Sequence, residues 1–361
     1  MIFVILGAQF GSEGKGKATS ILAQRLAHKS NHSPIVVRTG GPNAGHTVRR
    51  GDLAFKFRQI PAAAFTPSAT LVIPPAGIID VDLLFKEIDE LESHGLNIRD
   101  RLYIDPNATI LEPWHSEEEY HCNLTTRLGS TATGTGSAQA GKVMRTAKIA
   151  RDIPDLAPFL LDVPLFLNSK LDTDIIIETT QGFGLSLHAS GNYPMTTSRD
   201  ITASQALADC GLPPQHVNTY LVLRTFPIRV GGNSGPLPGE TTWENVASIS
   251  GYASLGEYTT VTGRLRRVAE FDSEVMQRAV NLNNPTGFIV HGLDYLNASN
   301  RGVHKINELT VEATEFMNML KRKFNVGIPL VFTGPDDLDH IWTHSQPLEQ
   351  EEFNFVPELK V

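Results

Sequence analysis

The first residues that could do chemistry lie in GAQFGSEGKGKAT, positions 7 to 19. From Gly11 the stretch reads G-x-x-x-x-G-K, the spacing of a phosphate-binding loop. Gly11, Gly14 and Gly16 let backbone N–H groups approach an anion, and Lys15 and Lys17 add positive charge. Ala18 stands where many phosphate loops carry the Ser or Thr that binds magnesium. A tight strand-to-helix turn with two surface lysines is the plainer alternative.

Three more segments share this character. RTGGPNAGHT (38–47) places Asn43, His46 and Thr47 among glycines, and its histidine suits general acid work. GSTATGTGSAQAGKVMR (129–145) sets small hydroxyls among glycines ahead of Lys142 and Arg145, a composition that suits phosphate or sugar. TTVTGRLRR (259–267) carries Arg264, Arg266 and Arg267 beside a Thr-Gly turn, and arginines grip carboxylates bidentately. Four anion-ready loops exceed what a plain triphosphatase needs. They imply two phosphorylated ligands and a carboxylate.

Elements must hold these loops in place. IFVIL (2–6) reads as a buried strand and KATSILAQRLAHK (17–29) as the helix after the first loop. Further strands are expected at 34–41, 70–80 (a strand into a turn), 101–106, 174–182 (a strand into a polar loop), 219–226, 287–294 and 328–335, with a helix over 81–95 ended by Gly95. Apolar strands alternating with helices predict an α/β chain with a large, mainly parallel sheet flanked by helices. No repeat, low-complexity run or concentrated linker divides residues 1–361, so one P-loop-NTPase-like domain is expected. The acidic stretch 349–353 reads as solvated surface.

Composition excludes several classes. A net charge of −8 gives no general basic footprint for nucleic acid. No apolar run approaches the roughly 20 residues of a membrane span. Cys122 and Cys210 form no disulfide framework, and no Cys/His spacing reads as zinc. A reducing cytoplasm fits.

Taken together, GAQFGSEGKGK and GGPNAGHT resemble the paired signature of the adenylosuccinate synthetases. The similarity continues through LGSTATGTGSAQAGKVMR, ETTQGFG, YPMTTS, TTVTGRLRR and VFTGPD, in the family's order along nearly the whole chain. The family phosphorylates the 6-oxygen of a purine nucleotide, then displaces that phosphate with the amine of aspartate. The resemblance implies that Gly11, Glu13, Gly14, Gly16 and Lys17 cradle the triphosphate, with Lys15 facing the transferred group and His46 acting as general acid. It places Gly45, Thr47, Arg266, Asp294, Thr333, Gly334 and Pro335 around the donor. It gives the purine monophosphate to Ser12, Asn43, Ala44, Thr131, Arg145, Gln181, Thr197 and Arg264, with Arg145 reaching across a homodimer interface. Aspartate falls to Thr260, Val261, Thr262, Gly263 and Arg264, and Mg2+ to Ser12 and Gly45. The family's magnesium does not depend on a hydroxyl at position 18, so Ala18 is expected.

The chain departs from the family pattern in informative places. Ser12 replaces the aspartate that resembles the catalytic base on purine N1, and Gly292 replaces a lysine two residues before Asp294. It is also shorter than many cellular members. Guanine carries a C2 amino group beside N1, and serine leaves more room there than a carboxylate. A serine here resembles a phage branch of the family, which joins aspartate to dGMP with ATP. The expected substrates are therefore dGMP, L-aspartate and ATP, with dATP or GTP as other donors; the runner-up is IMP with GTP. The base on N1 would be Glu13, a water on Ser12 or a phosphate oxygen. A P-loop kinase or GTPase switch predicts a hydroxyl at position 18. A catalytically dead scaffold fits poorly with Lys15, His46, Gln181 and Arg264.

Overall fold

A computed structural model describes residues 1–29, 33–259 and 263–343. Nine strands form its central sheet: β1 (Ile2–Gly7), β2 (Ile35–Arg38), β3 (Thr70–Ile73), β4 (Leu102–Ile104), β5 (Ile175–Gly182), β6 (Asn218–Arg224), β7 (Gly287–His291), β8 (Leu330–Phe332) and β9 (His340–Trp342). Their order is β9-β8-β7-β6-β1-β5-β2-β3-β4. Every pair is parallel except β8–β9. All six residues of β1 are buried, as a central strand covered on both faces requires.

Alternation along β1 feeds the two faces. Phe3 and Ile5 pack with Ala18, Ile21 and Leu22 of α1 (Lys15–Lys29). Ile2 and Val4 join Val163, Ala206 and Leu207, and Leu6 joins Met276 and Met317. Period-two placement of large apolar side chains thus fixes α1 against the sheet. The loop preceding α1 is held at the C-terminal edge, where open α/β sheets bind ligands.

The strand assignments hold, with shorter ends at 35–38, 102–104, 287–291 and 330–332. Residues 70–80 divide into β3 and a two-residue strand, Ile78–Ile79. The edge strand β9 is additional; its antiparallel pairing follows a tight turn through Asp336–Asp339. His46 opens a strand, His46–Arg50, paired antiparallel with Leu53–Phe57, so it is held more firmly than a loop residue.

Candidate active site

Two pockets meet at the C-terminal edge of the sheet. The larger has a cavity volume of about 520 Å³ and runs from the phosphate loop to Asp294, Tyr295, Gly334 and Pro335. The smaller is lined by Gly11, Asn43, Ala44, Thr131 and Gln181. Ser12, Lys15, Gly45, His46 and Arg266 line both. The residues at this shared wall include the three expected to carry the chemistry.

Close approach builds the wall. A Cβ on Gly16 would sit 2.7 Å from the His46 Cβ, so only glycine lets α1 start against that histidine. Ser12 adopts φ +60°, and Gln181 φ +64°. Non-glycine residues in this region concentrate at functional sites, where the surroundings over-determine them.

His46 is buried beneath a polar cluster. Its Nδ1 meets Glu178 Oε1, and Arg38 Nη1 lies 2.8 Å from that nitrogen and 3.0 Å from the carboxylate. Arg38 and Glu178 are register partners on β2 and β5, so the sheet itself assembles the pair. Glu178 Oε2 also accepts from the Ala62 N–H at 2.8 Å. Burial alone would raise the Glu178 carboxyl, but Arg38 and His46 outweigh it and hold it below the usual range. Burial, reinforced by Arg38, lowers His46 to about 4 despite Glu178. With Nδ1–H donating to Glu178, the Nε2 edge is left for the pocket.

Several expected residues take other roles. The Glu13 carboxylate is fully buried and lines neither pocket. Its Oε1 accepts from the Gly11 N–H at 2.8 Å and the Gln9 N–H at 3.2 Å, while Oε2 pairs with Lys15 at 2.7 Å. It braces the loop from behind, with both oxygens held by donors of the loop itself. Lys17 lines the larger pocket, but its Nζ donates to the carbonyls of Gly334 and Asp339, both at 2.9 Å, so it anchors the β8–β9 turn. Burial lowers it to about 8 against Asp337 and Asp339. Thr333 is also buried, its hydroxyl donating to the Val303 carbonyl, so it supports Gly334 and Pro335 from behind.

In the segment 129–145, Thr131 reaches the smaller pocket. The amides of Gly134 and Gly136 instead bind the Glu119 carboxylate at 2.9 and 2.7 Å, so this helix start is already capped by an internal anion. Arg145 and Arg264 are exposed and line neither pocket; Thr197 lies outside both linings. Gly263 is exposed with φ +64°. Thr260, Val261 and Thr262 lie outside the described residues. Arg267 is taken by Glu240 at 2.7 Å and the Gly235 carbonyl at 2.7 Å, which leaves Arg266 as the pocket-lining arginine of that segment.

At the far end, burial raises Asp294 to about 6, opposed by the Tyr252 hydroxyl, which donates at 3.2 Å, and by Arg224. Gly292 has φ +84°, and a Cβ there would lie 2.9 Å from Thr225 Oγ1. A lysine does not fit this backbone without rearrangement. His291 lines the same pocket, and burial, with Arg224 and Lys17 nearby, keeps its ring well below the ordinary histidine value.

Sequence reading missed Arg38, Glu178, Arg224, Glu257, His291 and Tyr252. Charged residues inside the apolar strands IVVR and IIIETTQG were the available signal. Glu13→Gln is expected to lower thermal stability by roughly 3 kcal/mol, because the buried Lys15 ammonium loses its counter-ion. An unchanged melting temperature would show that the pair is not a structural brace.

A glycine loop at the first strand of a parallel sheet, with two polar pockets sharing a lysine and a histidine, defines a nucleotide-dependent group-transfer enzyme of the P-loop-like α/β class. The chain belongs to the adenylosuccinate synthetase family, which matches residues 4–155 and 147–301. Members are carbon–nitrogen ligases that join aspartate to a purine nucleotide.

Adenylosuccinate synthetase of Pyrococcus sp. (strain ST700) is 38% identical over 343 residues, covering 94% of this chain and 97% of that protein. The Methanocaldococcus jannaschii enzyme is 38% identical over 340 residues, covering 92% and 94%. Both relatives are thus of about this chain's length. Fully ligated adenylosuccinate synthetase from Plasmodium falciparum superposes with TM-score 0.82 at 20% identity, covering 95% of this chain and 99% of that one. Cyanophage S-2L succinoaminodeoxyadenylate synthetase (PurZ), solved with dGMP and with dATP as energy donor, gives TM-score 0.77 at 26% identity and 95% coverage of both. Among the described residues no helix is long and apolar enough to cross a membrane.

Proposed function

We propose that this ligase joins L-aspartate to C6 of dGMP with ATP as phosphoryl donor, giving N6-succino-2-amino-2'-deoxyadenylate, ADP and phosphate. The observation that carries this is Ser12 at the shared wall of the two pockets. At this position a carboxylate would crowd a C2 amino group, whereas a hydroxyl accepts a hydrogen bond from it. Gly292 supports the reading from the other end, since the lysine of the family's guanine site is absent and the left-handed backbone disfavours one. The dGMP and dATP bound by the cyanophage protein agree with it.

In this reading the purine monophosphate occupies the smaller pocket against Asn43, Thr131 and Gln181. The triphosphate lies along Gly14 to Lys17 with its base near Asp294 and Pro335. The donor's γ-phosphoryl group passes to the 6-oxygen while ADP leaves. His46 Nε2 carries the proton that stabilises the developing charge on that oxygen, and Lys15 neutralises the transferred group. The N1 proton goes to a water on Ser12 or to a phosphate oxygen. The aspartate amine, oriented by Arg264 and Arg266, then attacks C6 and expels phosphate. Arg145, exposed in the single chain, serves the monophosphate of a second copy in a homodimer.

The donor set tests the fit of magnesium. Among the described residues no three His, Cys, Asp or Glu side chains form a metal cluster. The Ser12 carbonyl accepts from Arg224, which leaves the Ser12 hydroxyl and the Gly45 carbonyl. Two neutral oxygens fit an ion that keeps waters and rides on substrate phosphates. When bound, it neutralises charge on the transferred phosphate.

The curated relatives named above are adenylosuccinate synthetases and favour a second reading with IMP and GTP. Steady-state assays with dGMP, GMP or IMP, aspartate, and ATP or GTP decide between them. We expect dGMP with ATP to give the highest kcat/KM. Faster turnover of IMP with GTP returns the chain to the second reading.

A further inference from the structure

Ser12 does not hold its position by itself. A serine in the left-handed region is disfavoured by on the order of 1 kcal/mol. Its carbonyl, however, accepts from Arg224 Nη1 at 3.1 Å. Arg224 ends β6, and its side chain is almost wholly buried. Its Nη2 binds Glu257 Oε1 and its Nε donates to the Phe226 carbonyl at 3.3 Å, so all three guanidinium nitrogens are directed.

The main chain at the same point is clamped as well. Gln9 Oε1 accepts from the Arg224 N–H at 2.9 Å, and Gln9 Nε2 donates to the Arg224 carbonyl at 3.1 Å. The start of the phosphate loop and the end of β6 are therefore tied together. Glu257 extends the connection. Its Oε1 also accepts the Tyr295 hydroxyl at 2.8 Å, and its Oε2 lies 3.6 Å from Arg266 Nη1. One carboxylate thus joins the phosphate loop through Arg224, the donor-base segment through Tyr295, and the arginine shared by both pockets.

We propose that Arg224 and Glu257 are a positioning pair that sets the Ser12 hydroxyl at the junction of the two pockets and fixes it relative to the donor-base segment. The inference rests on the ligase reading above and assigns residues that it does not use. The chemistry follows from the geometry. A guanidinium on the Ser12 carbonyl keeps that carbonyl turned from the pockets, so the residue presents its hydroxyl. Glu257 offsets the buried charge and prevents Arg224 from competing for substrate phosphate. Lysine could reach one of these acceptors but could not span them.

A double-mutant cycle between Arg224→Gln and Ser12→Ala tests the pair. With the native serine, Arg224→Gln is expected to lower kcat for dGMP by roughly 30-fold, within the range for misplacing a group at the reacting centre. In the Ser12→Ala background the same change is expected to cost less than about threefold, because no hydroxyl remains to be placed. Arg224→Lys is expected to recover only part of the loss. Glu257→Gln, which keeps the shape but removes the charge, is expected to fall in the same direction and to be non-additive with Ser12→Ala.

Equal costs of Arg224→Gln in both serine and alanine backgrounds overturn the proposal, as does a change confined to the melting temperature. If the Arg224 variants do not fold, Tyr295→Phe and Glu257→Gln carry the same cycle. Calorimetric Kd values for dGMP and ATP across the four proteins give a readout independent of turnover: coupling above about threefold supports the pair, and additivity overturns it. A chain that shows the coupling but does not ligate dGMP refutes the substrate assignment alone.

Discussion

Replacing His46 by Asn is expected to lower kcat by about 10²–10⁴ while leaving the Kd of both nucleotides within a fewfold. The imidazole is buried at the wall between the pockets with its Nδ1 bound to Glu178, and in the proposed mechanism its other nitrogen serves the 6-oxygen. Asparagine preserves a polar group of similar reach but delivers no proton. Because the proton matters only as charge builds on the 6-oxygen, the loss belongs to the transition state and appears in kcat. Single-turnover formation of ADP, followed with dGMP and ATP bound, isolates the step. A His46→Asn protein that still phosphorylates at a tenth of the native rate or better removes His46 from the chemistry.

The pH profile adds a second readout to this first prediction. In the free protein burial and Arg38 hold the ring near 4, so it is neutral over the physiological range. Phosphate oxygens brought to Nε2 favour the imidazolium, so the bound ring titrates higher than the free one. In the proposed mechanism activity needs the protonated ring, so it is expected to be lost as pH rises through this bound value. Glu178 is among the groups that raise it. Glu178→Gln therefore moves the alkaline limb to lower pH, and kcat on that limb falls about tenfold for every pH step of one by which it moves. A limb that stays in place would show that Glu178 orients the ring without tuning it.

How much of this site could be read in advance varies with where each residue lies. The phosphate loop was legible because its chemistry is local: glycines and lysines at fixed spacing after an apolar strand. His46 and Gln181 were legible through their motifs. Arg38 and Glu178 are separated by 140 residues and meet because β2 and β5 are parallel neighbours in register. Arg224 and His291 meet the same way across β6 and β7. Strand periodicity gives the face of a side chain but no order of strands, so these pairings were invisible. Lys17 and Glu13 show the opposite limit. Their spacing places them at the loop, yet whether a charged end turns toward ligand or toward a buried carbonyl depends on contacts such as Gly334, 317 residues away.

Substituting aspartate for Ser12 is expected to shift the kcat/KM ratio for IMP over dGMP upward by at least about 100-fold, nearly 3 kcal/mol of discrimination. Two effects act together. A carboxylate at the shared wall supplies a base for N1, which favours either purine, and it crowds the C2 amino group, which penalises only dGMP. The left-handed backbone of residue 12 tolerates the change, because aspartate is among the residues that adopt it most readily. Its main chain stays tied to Arg224, so the new carboxylate emerges where the hydroxyl did. Ser12→Asn separates the effects, since the amide has a similar size but is no base. It is expected to impair dGMP without accelerating IMP. If Ser12→Asp leaves the ratio unchanged, the C2 substituent is not read at this position and the dGMP assignment loses its support. If both variants slow dGMP and only the acid speeds IMP, one side chain separates the two substrate classes by size and by basicity at once.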